Sequence, residues 1–298
     1  MHAATVSRFG GPEAVEITEV PVPVPGPGQV RIKVAAAALN PVDAAMRSGV
    51  FGGEGERIGL GWDVAGTIDA VGPGAGARPG DRVIGMSTGH RTPLGTHAEY
   101  VVLDTEAVAP APASLDDAHA ATLPLSTLSA DQSLALLALR PGQSLLITGA
   151  AGAVGAHAVE LAHLRGLVVT ALASPADEEF LRSRGADHFL PRGEKPAPGG
   201  WDGVLDAAQL GDEASAAVRD GGAHVGLWPG REPAPGRGIR VGALDVRADA
   251  ERLAALSRLA DRGEVLARVA ATYPLAQAAA AHARLAEGGL RGRIVLVP

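Results

Sequence analysis

The 298-residue sequence contains no cysteine. That removes disulfides, thiolate nucleophiles and cysteine-ligated zinc together. Lysine occurs only at Lys33 and Lys195, so arginine carries nearly all the positive charge, a pattern we read as codon bias rather than mechanism. Aromatic residues make up 3% of the chain, and its tyrosines are Tyr100 and Tyr273. Phenolic proton donors and stacking platforms are therefore scarce. No apolar run approaches the roughly 20 residues a membrane span needs, and the first residues lack the charged-then-apolar pattern of a leader. The reading is a cytoplasmic protein without a membrane partner. A net charge of −7 argues against a nucleic-acid partner.

What is present is a large apolar fraction, 46%, enough to bury the cores of two domains. Residues 1–115 have a β-rich texture. Pro21, Pro23, Pro25 and Pro27 break up the start, Gln29 to Ala37 reads as a strand, and Gly72-Pro73-Gly74 and Pro79-Gly80-Asp81 separate further short strands. From Leu115 to Leu139 the pattern turns helical, punctuated by Pro124, and the boundary falls near residue 115. Two alanine-rich helices are expected between Asp249 and Glu287, flanking Tyr273-Pro274, before a last strand from Arg293 to Val297.

Residues 116–247 carry the chemistry-bearing motif. Ser144-Leu145-Leu146-Ile147-Thr148 reads as a buried strand, and Gly149-Ala150-Ala151-Gly152-Ala153-Val154-Gly155 as a tight turn opening a helix. Small residues there let backbone N–H groups approach a pyrophosphate, and the helix N-terminus adds partial positive charge. Against the glycine fingerprint Ala150 replaces the first glycine, while Gly152 and Gly155 hold the second and third places. A second strand, Leu167 to Ala173, follows at βαβ spacing, then a helix from about Pro175 to Arg184 and further strands at His188 to Leu190, Trp201 to Asp206, Ala223 to Leu227 and Ile239 to Val241. Alternating strands and helices predict a doubly wound parallel sheet. The strand end at Ala173-Ser174 has no Asp or Glu for a ribose 2′-OH, which favours NADPH over NADH. Ser174 is also placed to cap the helix after Pro175.

Asn40-Pro41-Val42-Asp43, Gly61-Trp62-Asp63-Val64-Ala65-Gly66, Pro79-Gly80-Asp81-Arg82-Val83, Gly95-Thr96-His97-Ala98-Glu99-Tyr100 and Gly292-Arg293-Ile294-Val295-Leu296 stand in order around this cradle. Together they closely resemble the zinc-independent medium-chain dehydrogenase/reductases, in the quinone oxidoreductase branch that includes zeta-crystallin. The resemblance covers essentially the whole chain. It implies an α/β protein: a GroES-like β-barrel catalytic domain (1–115) completed by residues 248–298, a Rossmann domain (116–247), NADPH in the cleft and a homodimer paired through the Rossmann sheets.

By that resemblance Trp62 and Asp63 occupy the His-Glu positions of zinc-dependent relatives, and no metal site is expected; His90 and His97 read as ordinary surface or loop histidines. Asn40 matches the asparagine near the nicotinamide, with its amide as donor to a substrate oxygen as hydride arrives. Ser129 matches the threonine that touches the carboxamide, with Asp131 where an aromatic is usual. Ser174 matches the 2′-phosphate contact, but the usual lysine is Asp177; Arg182, Arg184 and Arg192 are the candidate replacements. Cofactor contacts are thus expected from Asn40, Ser129, Ala150, Ala151, Gly152, Ala153, Val154, Gly155 and Ser174, and a planar substrate is expected to meet Phe51 and Trp62. Asp43 reads as a helix cap. The expected activity is NADPH-dependent hydride transfer to a small-molecule quinone or similar conjugated carbonyl, because a hydroquinone anion can take its proton from water. The alternatives are an enoyl or enone reductase of a biosynthetic pathway and a non-catalytic NADPH-binding sensor.

Overall fold

The computed structural model describes every residue except 54 and 89–92, so His90 lies outside the described residues. The chain divides into two compact units, Met1–Leu125 with Arg247–Pro298, and Ser126–Val246.

In the first unit β1 (His2–Val6) and β2 (Glu16–Glu19) pair antiparallel. β3 (Gln29–Leu39) is the long strand: Val30, Ile32 and Val34 alternate inward while Lys33 stays exposed, the period-2 pattern of a sheet with one face buried. It ends at Asn40, where Pro41 opens α1 (Pro41–Arg47) with a preset φ and no N–H to satisfy. β4 (Ile58–Gly59) adds to β1. β5 (Asp63–Val71), β6 (Arg82–Met86), β7 (Tyr100–Asp104) and β8 (Val108–Pro110) complete this stretch; β3 pairs antiparallel with β5 and β7, β5 with β6, and β6 with β8. Val30, Ile32, Val64, Ile68 and Leu103 form its core. The short α2 (Asp117–Ala120) packs on β3 and β5, which is why the first unit runs to Leu125 rather than ending near residue 115.

α3 (Pro124–Leu137) carries the chain into the second unit. There β9 (Ser144–Thr148), α4 (Ala153–Leu164), β10 (Val168–Ala173), α5 (Glu178–Ser183), β11 (His188–Pro191), β12 (Trp201–Asp206), α6 (Asp212–Ala217), β13 (Val218–Gly226) and β14 (Arg240–Ala243) alternate as expected. Their strands form one parallel sheet in the order β11-β10-β9-β12-β13-β14. The order reverses at β9, which puts a topological switch point at its carboxyl end. Leu145, Leu146 and Ile147 are all fully buried, as a strand covered on both faces requires. The helix expected after Ser174 is a 3-10 turn, Pro175–Asp177, leading into α5.

The chain then returns to the first unit through α7 (Ala250–Asp261), β15 (Val269–Pro274), α8 (Ala278–Ala286) and β16 (Arg293–Val297). β16 lies antiparallel to β3, with Ile294 opposite Leu39 and Leu296 opposite Ala37, and parallel to β15. β15 is a correction to the sequence reading: Tyr273 sits in a strand, not at a helix start. Its alternation of half-buried and exposed positions was masked by the alanines around it.

Candidate active site

The cradle in the second unit is built as the spacing requires, but its parts divide the work differently. Gly149 adopts φ +59, so the tight turn belongs to Gly149 and not to the position of Ala150. A Cβ on Gly155 would lie 2.3 Å from Gly149 O and 2.8 Å from Ala150 Cα; only glycine lets α4 start this close to the turn. Ala150 N donates to Leu172 O at 3.1 Å and Gly152 N to Gly149 O at 2.9 Å. Those two amides hold the turn together and are not available to a phosphate, which corrects the expectation for Ala150 and Gly152 as backbone donors. The first intrahelical bond runs from Ala156 N to Gly152 O, leaving the N–H groups of Ala153, Val154 and Gly155 in the unpaired first turn. They make the anion-binding end of α4. Behind them Asp206, 2% exposed, accepts from Thr148 Oγ1 at 2.6 Å and from Leu210 N and Gly211 N, tying the ends of β9 and β12 together.

At the end of β10, Ser174 makes no side-chain cap bond, so the capping role expected for its hydroxyl is not used. Only its carbonyl takes part, accepting from Asp177 N at 2.8 Å. Of the candidate cations, Arg182 is held by Glu178 at 2.8 Å and Arg184 by the buried Glu160 at 2.7 Å. Arg192 is exposed and its guanidinium has no partner among the described residues. Its backbone N donates to Ala173 O at 2.6 Å, which fixes it directly beside Ser174. Asp177 is buried.

On α3, Ser129 is 5% exposed. Asp131 is neither a solvated helix residue nor a free acid: it pairs with Arg165, just past the end of α4.

In the first unit Asn40 is completely buried at the junction of β3 and α1. Its Nδ2 donates to Asp63 Oδ2 at 2.8 Å and to Ala38 O at 3.1 Å. Both neighbours are acceptors, so the amide orientation is forced. Asp43 forms its side of a capping box, Oδ2 accepting from Asn40 N at 2.8 Å, while Asp43 N donates to the backbone carbonyl of Asn40 at 3.0 Å. Asn40 Oδ1 is left without a partner. The donor expected from sequence is thus already engaged: Nδ2 spends its hydrogens on Asp63 and Ala38, and Oδ1 is enclosed with the rest of the side chain.

Asp63 accepts from Leu125 N as well, at 2.6 Å. Burial pushes its carboxyl up to about 7, against the opposing pull of Arg293, Leu125 N and Asn40. Asp43 is also raised by burial, and Arg293, buried between these two charges, is lowered by it. His97 Nε2 faces Ala38 O at 3.1 Å, so that nitrogen carries a proton; the ring is 1% exposed, in the core rather than on the surface. His282 stands edge-on to it and accepts from Arg47 Nη1 at 3.4 Å; burial, with His97 and Arg47 nearby, lowers it to about 3, so it is neutral. None of this polar cluster except Asn40 and Asp43 was singled out in the sequence for a role, because Asp63, Arg293 and His282 are far apart in it and no local pattern joins them.

Trp62 does not present a face to a substrate. It is 3% exposed and its Nε1 donates to the buried Met46 Sδ at 3.0 Å, which places it in the core beneath α1. Phe51, in the turn after α1, is half-buried. The donor set around Asn40 does not suit zinc: Asp63, Asp43 and His97 each spend their donor atoms on amides or a carbonyl, and among the described residues no group of three His, Asp or Glu converges.

An alcohol dehydrogenase GroES-like domain matches residues 26–113 and a zinc-binding dehydrogenase domain residues 176–296. The chain is 34% identical over 284 residues to the spectinabilin polyketide synthase system protein NorB of Streptomyces orinoci, a match covering 88% of this chain and 13% of that protein. It is 31% identical over 277 residues to the chloroplastic NADPH-dependent alkenal/one oxidoreductase of Arabidopsis thaliana, covering 88% of this chain and 70% of that one. Among solved structures, the quinone oxidoreductase from Coxiella burnetii superposes with a TM-score of 0.88 at 26% identity, covering 100% of this chain and 99% of that one.

Proposed function

Because the chain belongs to the medium-chain dehydrogenase/reductase family, in its quinone oxidoreductase branch, we propose that it is an NADPH-dependent reductase that passes hydride to a quinone or similar conjugated carbonyl without a metal. The nicotinamide cofactor supplies the hydride when bound. The unpaired N–H groups of Ala153, Val154 and Gly155 take its pyrophosphate, with Ala151 beside them in the turn. The observation that carries the choice of NADPH is the unpaired Arg192 beside the uncapped Ser174 hydroxyl: together they give a cation and a hydroxyl for a 2′-phosphate where an acid would select NADH. Arg192→Ala weakens NADPH binding about tenfold and leaves NADH unchanged, the low end of a charge-assisted hydrogen bond at an exposed site. Equal losses for both cofactors in a fluorescence titration would remove Arg192 from this role.

In the second unit Ser129 is the side chain assigned to the nicotinamide carboxamide, and in the first unit Asn40 and Phe51 keep the roles that the resemblance gives them. The proton that completes reduction comes from water, from which a hydroquinone anion takes it directly; Tyr100 lies in β7 and Tyr273 in β15. A second reading, reduction of an enone, is favoured by the similarity to an alkenal/one oxidoreductase. NADPH oxidation across a panel of quinones and α,β-unsaturated carbonyls separates the two, and binding without turnover of any would sink both. Among the described residues no strand pairs with the outer edge of β14, an edge that suits a second copy, and sedimentation at working concentration is expected to give a homodimer.

A further inference from the structure

We propose that Gln209 is a contact to the ribose of the cofactor's nicotinamide half and that Arg231 positions it; this rests on the reading that NADPH lies on the second unit. All the residues involved belong to that unit. A dinucleotide lies across the crevice at the switch point of such a sheet, one half on each side. Ser174 and Arg192 stand at the end of β10 on one side, which leaves the ends of β12 and β13 to the nicotinamide half. The segment after β12 lies against the phosphate turn: a Cβ on Gly149 would stand 3.3 Å from Ala208 Cβ. Gln209 follows Ala208 and is exposed at that strand end.

The backbone of Gln209 is strained. Its φ is +58, a left-handed conformation that costs any residue with a Cβ and suits glycine. The neighbours on either side enforce it: Ala208 N donates to Thr148 Oγ1 at 2.9 Å, and Leu210 N to Asp206 Oδ1 at 3.0 Å. Glycine would sit there without strain, so the reason for a glutamine has to lie in its side chain. Gln209 Oε1 accepts from Arg231 Nη1 at 3.3 Å, a residue of the loop between β13 and β14. An arginine can only donate, which fixes the orientation of the amide. That bond holds the side chain along the row of strand ends and leaves its Nε2 hydrogens with no partner among the described residues. Exposed, aimed N–H donors of this kind match the hydroxyl oxygens of a ribose.

The test uses two probes on the whole protein, NADPH and 2′,5′-ADP. The second keeps the adenosine and 2′-phosphate but lacks the nicotinamide riboside, so the ratio of the two affinities reports the nicotinamide half. Gln209→Gly keeps the backbone and removes the amide. It is expected to cut the NADPH-to-2′,5′-ADP affinity ratio about tenfold, the worth of one hydrogen bond, with 2′,5′-ADP binding unchanged. Its Tm should stay close to that of the unmutated protein, because relief of the strained φ offsets the added freedom of the unfolded chain. Arg231→Ala lets the amide swing, and is expected to cost part of that loss in the unmutated background and nothing further in Gln209→Gly. A ratio unchanged by Gln209→Gly, or both probes weakened in parallel with a lowered Tm, would overturn the proposal. An Arg231→Ala effect that is absent, or that persists in full without Gln209, would overturn the positioning role of Arg231. Failure of 2′,5′-ADP to bind the unmutated protein would instead strike the functional reading.

Discussion

At the scale of single residues, the first unit hides its charge. His282, lowered by burial to about 3 from an ordinary 6.5, stays neutral when folded but takes up a proton in the unfolded chain. The folded state thus binds fewer protons across that interval, and the stability His282 contributes is complete above about pH 6.5 and is lost as pH falls toward 3. Asp63 acts with the opposite sign, since a carboxyl raised to about 7 favours the folded state more as pH falls from 7 toward 4. His282→Gln keeps an acceptor for Arg47 without the titrating ring, and should flatten the fall of Tm between pH 6.5 and 4. A Tm profile parallel to that of the unmutated protein would show that His282 is not the source of the acid sensitivity. None of these values could be read from sequence, because burial of a histidine in a short alanine-rich helix depends on which strands it lands against.

At the scale of elements, the turn between β9 and α4 makes a sharper distinction than its glycine spacing suggests. Gly155→Ala places a methyl 2.3 Å from Gly149 O, which forces the helix back from the turn. Overpacking of this kind costs about 1–3 kcal/mol, so Gly155→Ala should lower Tm by several degrees and abolish measurable cofactor binding by displacing the first-turn N–H groups. Gly152→Ala meets only Gly149 O at 3.1 Å with an ordinary φ of −67, and should retain both. Equal behaviour of the two variants in calorimetry and titration would contradict this. The strands of the second unit were legible because parallel strands are continuous apolar runs bounded by helices. β15 was not, since alternation among alanines leaves no contrast. The cradle could be located from spacing, but not which amides it keeps for itself: that depends on the return of Leu172 O from β10.

At the scale of the whole molecule, the first unit is closed by β16, whose Ile294, Val295 and Leu296 are at most 1% exposed against β3 and β15. Deleting residues 293–298 removes these side chains, each worth about 1.5–3 kcal/mol of burial, together with the cation beside Asp63 and Asp43. The expected result is loss of cooperative folding in the first unit with the second retained, read as a reduced unfolding enthalpy in calorimetry. An unchanged enthalpy would mean that β16 is dispensable. The order of motifs was visible in sequence, and so was the interruption of one unit by the other. That the buried Arg293 acts electrostatically on Asp63 and Asp43 was not, because these lie more than two hundred residues upstream.

That separation sets a timetable for synthesis. The second unit is contiguous and has all its strands once β14 has left the ribosome. The first unit emerges earlier yet cannot finish: until residues 293–297 appear, Asp43 and Asp63 have no buried cation to answer them and β3 has an open edge. The nascent chain therefore waits with its oldest segment incomplete, and the stretch that most needs shelter from aggregation or a chaperone is the one made first.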